Sequence, residues 1–304
     1  MGSPHAHGAS SAATQRGRLL VVLAITCVVL LVEVVGAAVT GSLALLADAG
    51  HMLTDVAGIG LAVLAMSFAA RAATPQRTYG YYRLEILAAV ANAVVLLAVA
   101  AYILFQASQR WSDPPDVDAV PMLLFAGVGL VANFIAMLVL RQGAAVSLNV
   151  RGAYLETFAD VLRSLGVIVA AVVILTTDWL RVDAVVSALV ALMIVPRTWT
   201  LLRDAVDVLL EATPKGIDLD EVRAHIMTVP GVVATHDLHV WTITSGMPVL
   251  SVHVVVSDDV IAHGGSGQVL DHLADCLADH FDVAHCTFQI EPAGHVDHEH
   301  SPHV

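Results

Sequence analysis

The sequence predicts a polytopic α-helical membrane protein of six spans followed by a small soluble α+β domain, and three observations carry that prediction. Of the 304 residues, 57% are hydrophobic and only 13% charged, whereas a soluble domain is about 45–50% apolar and about 25% charged. Six apolar stretches each reach the roughly 20 residues needed to cross a bilayer. The formal net charge of -13 is localised rather than spread: from Pro214 to Val304 there are two basic residues, thirteen acidic ones and twelve of the fifteen His.

The chain opens with Met1 to Arg18, small and polar with His5 and His7, which reads as a flexible arm. The apolar stretch after it is too long for a signal peptide and lacks a small-residue cleavage site. The six spans are placed at Leu19 to Val39, Leu43 to Ala70, Leu84 to Ala107, Ala119 to Leu140, Ala153 to Thr176 and Val182 to Leu202. Arg16, Arg18, Arg71, Arg77, Arg83, Arg141, Arg151, Arg197 and Arg203 flank one side. Arg110 and Arg181 lie on the other, beside Asp113, Asp116, Asp118 and Asp178. By the positive-inside rule both termini face the cytoplasm, as six spans also require.

After Pro214 the order is αββαβ: a helix at Asp218 to Thr228, strands at Thr235 to Thr244 and Val249 to Ser257, a flexible Gly264 to Gly267 loop, a helix at Gln268 to His280, and a strand at Ala284 to Ile290. The expected divisions are an arm at 1–18, a transport domain at 19–210, a cytoplasmic domain at 211–292 and a disordered His-rich tail at 293–304. So acidic a domain repels phosphate, which argues against nucleic acid as a partner. Cys27, Cys276 and Cys286 show no repeated spacing, so neither a disulfide framework nor a Cys-only zinc site is expected.

Ionisable side chains at bilayer depth are expensive and therefore mark function. Span two carries Asp48, His51 and Asp55; span five carries Glu156, Asp160 and Arg163. Offsets of three, four and seven fall on one helical face, so each set forms a stripe. If the stripes face each other, His51, Asp55, Glu156 and Asp160 offer one imidazole and three carboxylates to a divalent cation. The competing reading is that these groups pair among themselves and hold the helices together. Glu33 and Asn92, single polar residues in long spans, read as helix-to-helix hydrogen bonds.

These residues lie in segments that resemble the cation diffusion facilitator family, especially its bacterial zinc-exporting branch. The resemblance rests on TGSLALLADAGHMLTD ending at Asp55, TYGYYRLEILAA from Thr78, NVRGAYLETFAD from Asn149, DLHVWTITSG from Asp237 and HCTFQIE from His285, and it runs from about Leu19 to Glu291. It implies a homodimeric exporter that moves Zn2+, or Co2+, Mn2+, Fe2+ or Cd2+, across the cell membrane in exchange for protons. His51, Asp55, Glu156 and Asp160 would hold the transported ion; Asp48 and Arg163, on the same two stripes, are read from their position as tuning the site. It also implies a metallochaperone-like (ferredoxin-like) cytoplasmic domain that dimerises and binds regulatory Zn2+ at His236, His253, His285 and Glu291. His239 is excluded because strand alternation sets it on the face opposite His236.

Two departures from the family pattern matter. Glu156 stands where the zinc branch usually has His, and Arg163 where it usually has Gly. With three ionised carboxylates the site's charge is -3, and -1 with a divalent ion, a remainder Arg163 can balance while holding the unloaded site ionised. Exchanging imidazole for carboxylate hardens the site toward Mn2+, Fe2+ or Co2+. Two functions of other classes remain open. One is a membrane-bound metal receptor that does not transport. The other is an intramembrane metal-dependent hydrolase, for which the HExxH pattern is absent.

Overall fold

The structure is a computed structural model that describes residues 6–69, 73–144, 148–244, 246–281 and 285–295; within these, the side chains of 6–19, 55, 58–69, 142–144, 148–150, 152 and 278–280 are not described. The chain divides into two compact units. One comprises Met1–Val63 and Ala89–Leu202, the other Leu64–Ala88 and Arg203–Val304.

The first unit is built from α1 (Ala6–Thr40), α2 (Leu43–Ala69), α3 (Arg83–Ser112), α4 (Ala119–Ala144), α5 (Leu148–Thr177) and α6 (Arg181–Leu209), except that the end of α2, the start of α3 and the end of α6 fall in the second unit. Over the described residues, five of these helices are long and apolar enough to cross a membrane, and α2 contributes an apolar stretch at Leu43–Thr54. One difference from expectation lies at the start. Helix α1 begins at Ala6, so the segment read as a flexible arm is helical from there on.

Small residues let these helices approach closely. Ala126 on α4, Ala170 and Ala171 on α5 and Leu45 on α2 belong to one buried apolar cluster. Ala47 on α2, Ala100 and Ile103 on α3 and Ala191 and Ile194 on α6 belong to another. A Cβ at Gly36 would lie 2.7 Å from the Phe125 ring, so α1 and α4 touch there only because Gly36 has none. Hydroxyl groups within the helices turn back on carbonyls one turn earlier, as Thr40 does to Gly36 and Thr198 to Ile194. That satisfies their polarity where lipid offers no partner.

The N-terminus of α2 is held by a residue far away in sequence. Gly41 ends α1 with a positive φ of 71°, and Asp183 of α6, 1% exposed, accepts hydrogen bonds from Ser42 Oγ (2.6 Å), Leu43 N (2.8 Å) and Ala44 N (3.2 Å). Arg110 of α3 donates to the Gly41 carbonyl at 2.7 Å and lies 3.3 Å from Asp183. A carboxylate at a helix N-terminus satisfies otherwise unpaired N–H groups and complements the helix dipole. It thereby fixes the helix that carries Asp48 and His51.

The second unit contains α7 (Leu219–Ile226), β1 (Val232–Thr242), β2 (Pro248–Val256), the short α8 (Asp258–Ala262), α9 (Ser266–His280) and β3 (His285–Pro292). The sheet order is β1-β2-β3, with β1 antiparallel and β3 parallel to β2. Leu250, Val252, Val254 and Val256 alternate onto the buried face of the central strand. There they meet Val222 and Ile226 of α7 and Val269, Leu273 and Leu277 of α9, giving a two-layer α+β core. The loop expected at 264–267 is shorter, because α9 begins at Ser266, and α8 occupies part of the preceding connection.

The α2–α3 connection belongs to this unit. Arg83 bonds Glu211 at 2.6 Å, Thr244 donates to Glu85, and the Tyr79 ring meets the His285 ring edge-on at 6.3 Å.

Candidate metal centres

Within the helical unit, the face of α2 that carries Asp48 and His51 meets the face of α5 that carries Glu156, Asp160 and Arg163. His51 Nε2 lies 3.4 Å from Glu156 Oε1 and 4.0 Å from Asp160 Oδ1. His51 and Asp160 are each 6% exposed. Asp55 sits on α2 four residues after His51, and its side chain lies outside those described. Three of the four sequence-predicted transport ligands are thus brought together, and the backbone places the fourth one turn along the same helix.

The residues read from sequence as tuning the site, Asp48 and Arg163, form a layer behind them. Arg163 donates to Asp160, and its Nε lies 3.4 Å from Asp48 Oδ1. Ser164 donates to the other Asp48 oxygen at 3.4 Å. Asn92 does serve as a helix-to-helix bond, donating to the Thr54 carbonyl at 3.2 Å. Glu33 of α1 is fully buried, next to Gly129 of α4, and its carboxyl meets that of Asp48 on α2, so it too links helices.

Sequence reasoning missed Arg197, which it counted only as a charge closing span six. It donates to Glu156 Oε2 from α6. No local pattern carries that signal, since the pair is 41 residues apart.

A second cluster lies in the other unit, on the face of the sheet away from its core. His236 and His253 are paired across β1 and β2 with ring centroids 4.9 Å apart. Glu291, 2% exposed on β3, receives both: its Oε2 is 3.1 Å from His236 Nε2 and its Oε1 2.9 Å from His253 Nδ1. Gln289 also donates to it at 2.7 Å. One ligand atom from each of the three residues lies within 4.8 Å of the others, which suits a shared metal ion. Burial works to raise the Glu291 carboxyl. The hydrogen bonds from Gln289 and His236, with the nearby His253 and His236 charges, outweigh it and hold the group below its ordinary value.

Two expectations need correction here. His285 does not join this cluster: it pairs with Val249 in the register, four residues along β2 from His253, and meets Tyr79 instead. At about 3.3 Å per residue, that separation is too long for one coordination sphere. His239 and His236 do not lie on opposite faces either. A bulge falls between them, with Asp237 at φ 47°, and their partners Ser251 and His253 share a face of β2. Cys286 turns toward the apolar core, where burial pushes its thiol up and away from thiolate chemistry.

Comparison with known proteins decides the family. The profile described as "Cation efflux transmembrane domain" matches residues 19–210, and "Cation efflux protein, cytoplasmic domain" matches residues 214–293. The chain belongs to the cation efflux family. Cation efflux relatives cover nearly its whole length. It is 45% identical over 293 residues to the "Metal cation efflux system protein CzcD" of Cupriavidus metallidurans, covering 96% of this chain and 91% of that one. It is 38% identical over 295 residues to "Zinc transporter ZitB" of Escherichia coli, covering 96% and 93%. With the "Cadmium, cobalt and zinc/H(+)-K(+) antiporter" of Bacillus subtilis it shares 37% over 268 residues, 88% and 86% of the two chains. A solved metal-bound C-terminal domain of the CzcD transporter is 45% identical, covering 25% of this chain and 99% of that one, with a TM-score of 0.23.

Proposed function

We propose that this cation efflux protein is a proton-coupled exporter of divalent metal cations, Zn2+ first, which works as a homodimer in the cell membrane by alternating access. Both termini and the α+β domain face the cytoplasm. The observation that carries the reading is the convergence of His51, Glu156 and Asp160 between two apolar helices. The names of the relatives, which include metal cation efflux, zinc transport and antiport, speak for the same class.

In this reading His51, Asp55, Glu156 and Asp160 hold the travelling ion. Carboxylate and imidazole bind a cation only when unprotonated, so cation and protons compete for the same atoms, and that competition is the coupling. Arg163, bonded to Asp160 and close to Asp48, offsets the excess negative charge of the unloaded site. His236, His253 and Glu291 form the regulatory site. There a cation takes up the ring nitrogens that face Glu291, and bound cations reduce the repulsion between two acidic domains.

The reading is tested in liposomes that hold a fluorescent Zn2+ indicator. Saturable uptake driven by a pH gradient is expected. Saturable binding without flux would make the protein a receptor. Competition by Co2+, Mn2+, Fe2+ and Cd2+, compared between wild type and Glu156→His, orders the substrates; wild type is expected to admit the harder ions better.

A further inference from the structure

Both described carboxylate ligands of the α2–α5 site already carry a guanidinium, and the two differ in setting. Arg163 is on the same helix as its partner Asp160, three residues on, and both side chains are almost wholly buried. Arg197 comes from another helix, with 62% of its side chain exposed while its partner Glu156 is 22% exposed. It also follows Pro196, which lies inside α6. A helix-interior Pro removes one i to i-4 hydrogen bond and loosens the turn. The backbone that carries Arg197 is therefore less tightly held than an uninterrupted helix would be.

The two oxygens of Glu156 are divided between rivals. Oε1 faces His51, on the side where a cation would be shared with Asp160, and Oε2 takes the Arg197 bond. A carboxylate bonded to a guanidinium is a poorer ligand, because its charge is already partly neutralised and its orientation is fixed by another donor. We infer that Arg197 is a displaceable counter-cation of the transport site: it holds Glu156 when no substrate is bound, and an arriving divalent cation must compete it away.

Arg197 is thus a residue that sets affinity rather than a ligand. Arg163, buried and local, stays as the permanent charge balance. This rests on the transport reading above. Arg197 lies near the end of span six, and its long side chain can reach the interface when released, at little desolvation cost.

The test is the KM and kcat of Zn2+ uptake in proteoliposomes for wild type, Arg197→Gln, Arg197→Lys and Arg151→Gln. Arg151 is an exposed cation on α5, five residues before Glu156, with no ion pair among the described residues. Arg197→Gln is expected to lower KM about fivefold, the scale of one partly exposed ion pair, and to leave kcat equal or lower. Arg197→Lys is expected to fall between it and wild type, and Arg151→Gln to match wild type. An unchanged or higher KM in Arg197→Gln overturns the inference. So does an equal fall in Arg151→Gln, which would mean only that any lost positive charge helps cations. Absence of saturable uptake by wild type would instead overturn the transport reading and this inference with it.

Discussion

In the proposed reading, single side chains decide which part of the molecule touches the ion. Asp160 is buried and bonded to Arg163, so Asp160→Ala removes a proposed ligand and leaves a guanidinium without its nearest carboxylate; transport is expected to vanish, as it is for Asp55→Ala. His253→Ala, in the other cluster, is expected to change only the Zn2+ concentration at which transport is activated. Equal loss in all three would argue against separate roles. Arg163→Gly is expected to alter the pH dependence of uptake, since the unloaded site then lacks its buried counter-charge. Glu291 yields a pH prediction for stability. Its carboxyl is held below its ordinary value by the Gln289 and His236 hydrogen bonds, so it contributes stability above the ordinary carboxylate range, and the contribution is lost as the pH falls through the lowered value. Amide exchange of β2 should therefore accelerate on acidification, and less so in Glu291→Gln.

The elements were legible to very different degrees. Apolar length revealed the six helices, because a span in lipid must be apolar throughout, and the i, i+3, i+7 spacing revealed which residues share a face. Alternation revealed the strands, yet the bulge at Asp237 was invisible: one inserted residue leaves composition unchanged but moves His239 onto the face of His236. Nothing local marks Asp183 as the cap of α2, 140 residues from Leu43, or Arg197 as a partner of Glu156. Both are long-range pairings between helices, and periodicity reports only one helix at a time. The cap has a measurable consequence. Asp183→Ala leaves the first N–H groups of α2 and the Arg110 guanidinium without their acceptor, and should cost about 1–3 kcal/mol. A lower unfolding temperature in detergent, with Zn2+ uptake weakened but not abolished, is the expected result.

At the scale of the whole molecule, the contrast between an oily chain and a charge of -13 separates into two tasks. Apolar helices enclose a few ionisable groups, and most of the acidic residues lie in the α+β domain after them, which in the proposed reading gathers cations. Adding Zn2+ is expected to draw two cytoplasmic domains together, visible as rising energy transfer between dyes placed on α9 of each protomer, and to do so less in His236→Ala. The central claim is that α2 and α5 together carry a divalent cation against protons. It is tested most directly by Zn2+ uptake into sealed liposomes with an imposed pH gradient. Saturable uptake that follows the gradient and disappears in Asp160→Ala is the expected result; uptake that persists in Asp160→Ala, or is indifferent to the gradient, would contradict it.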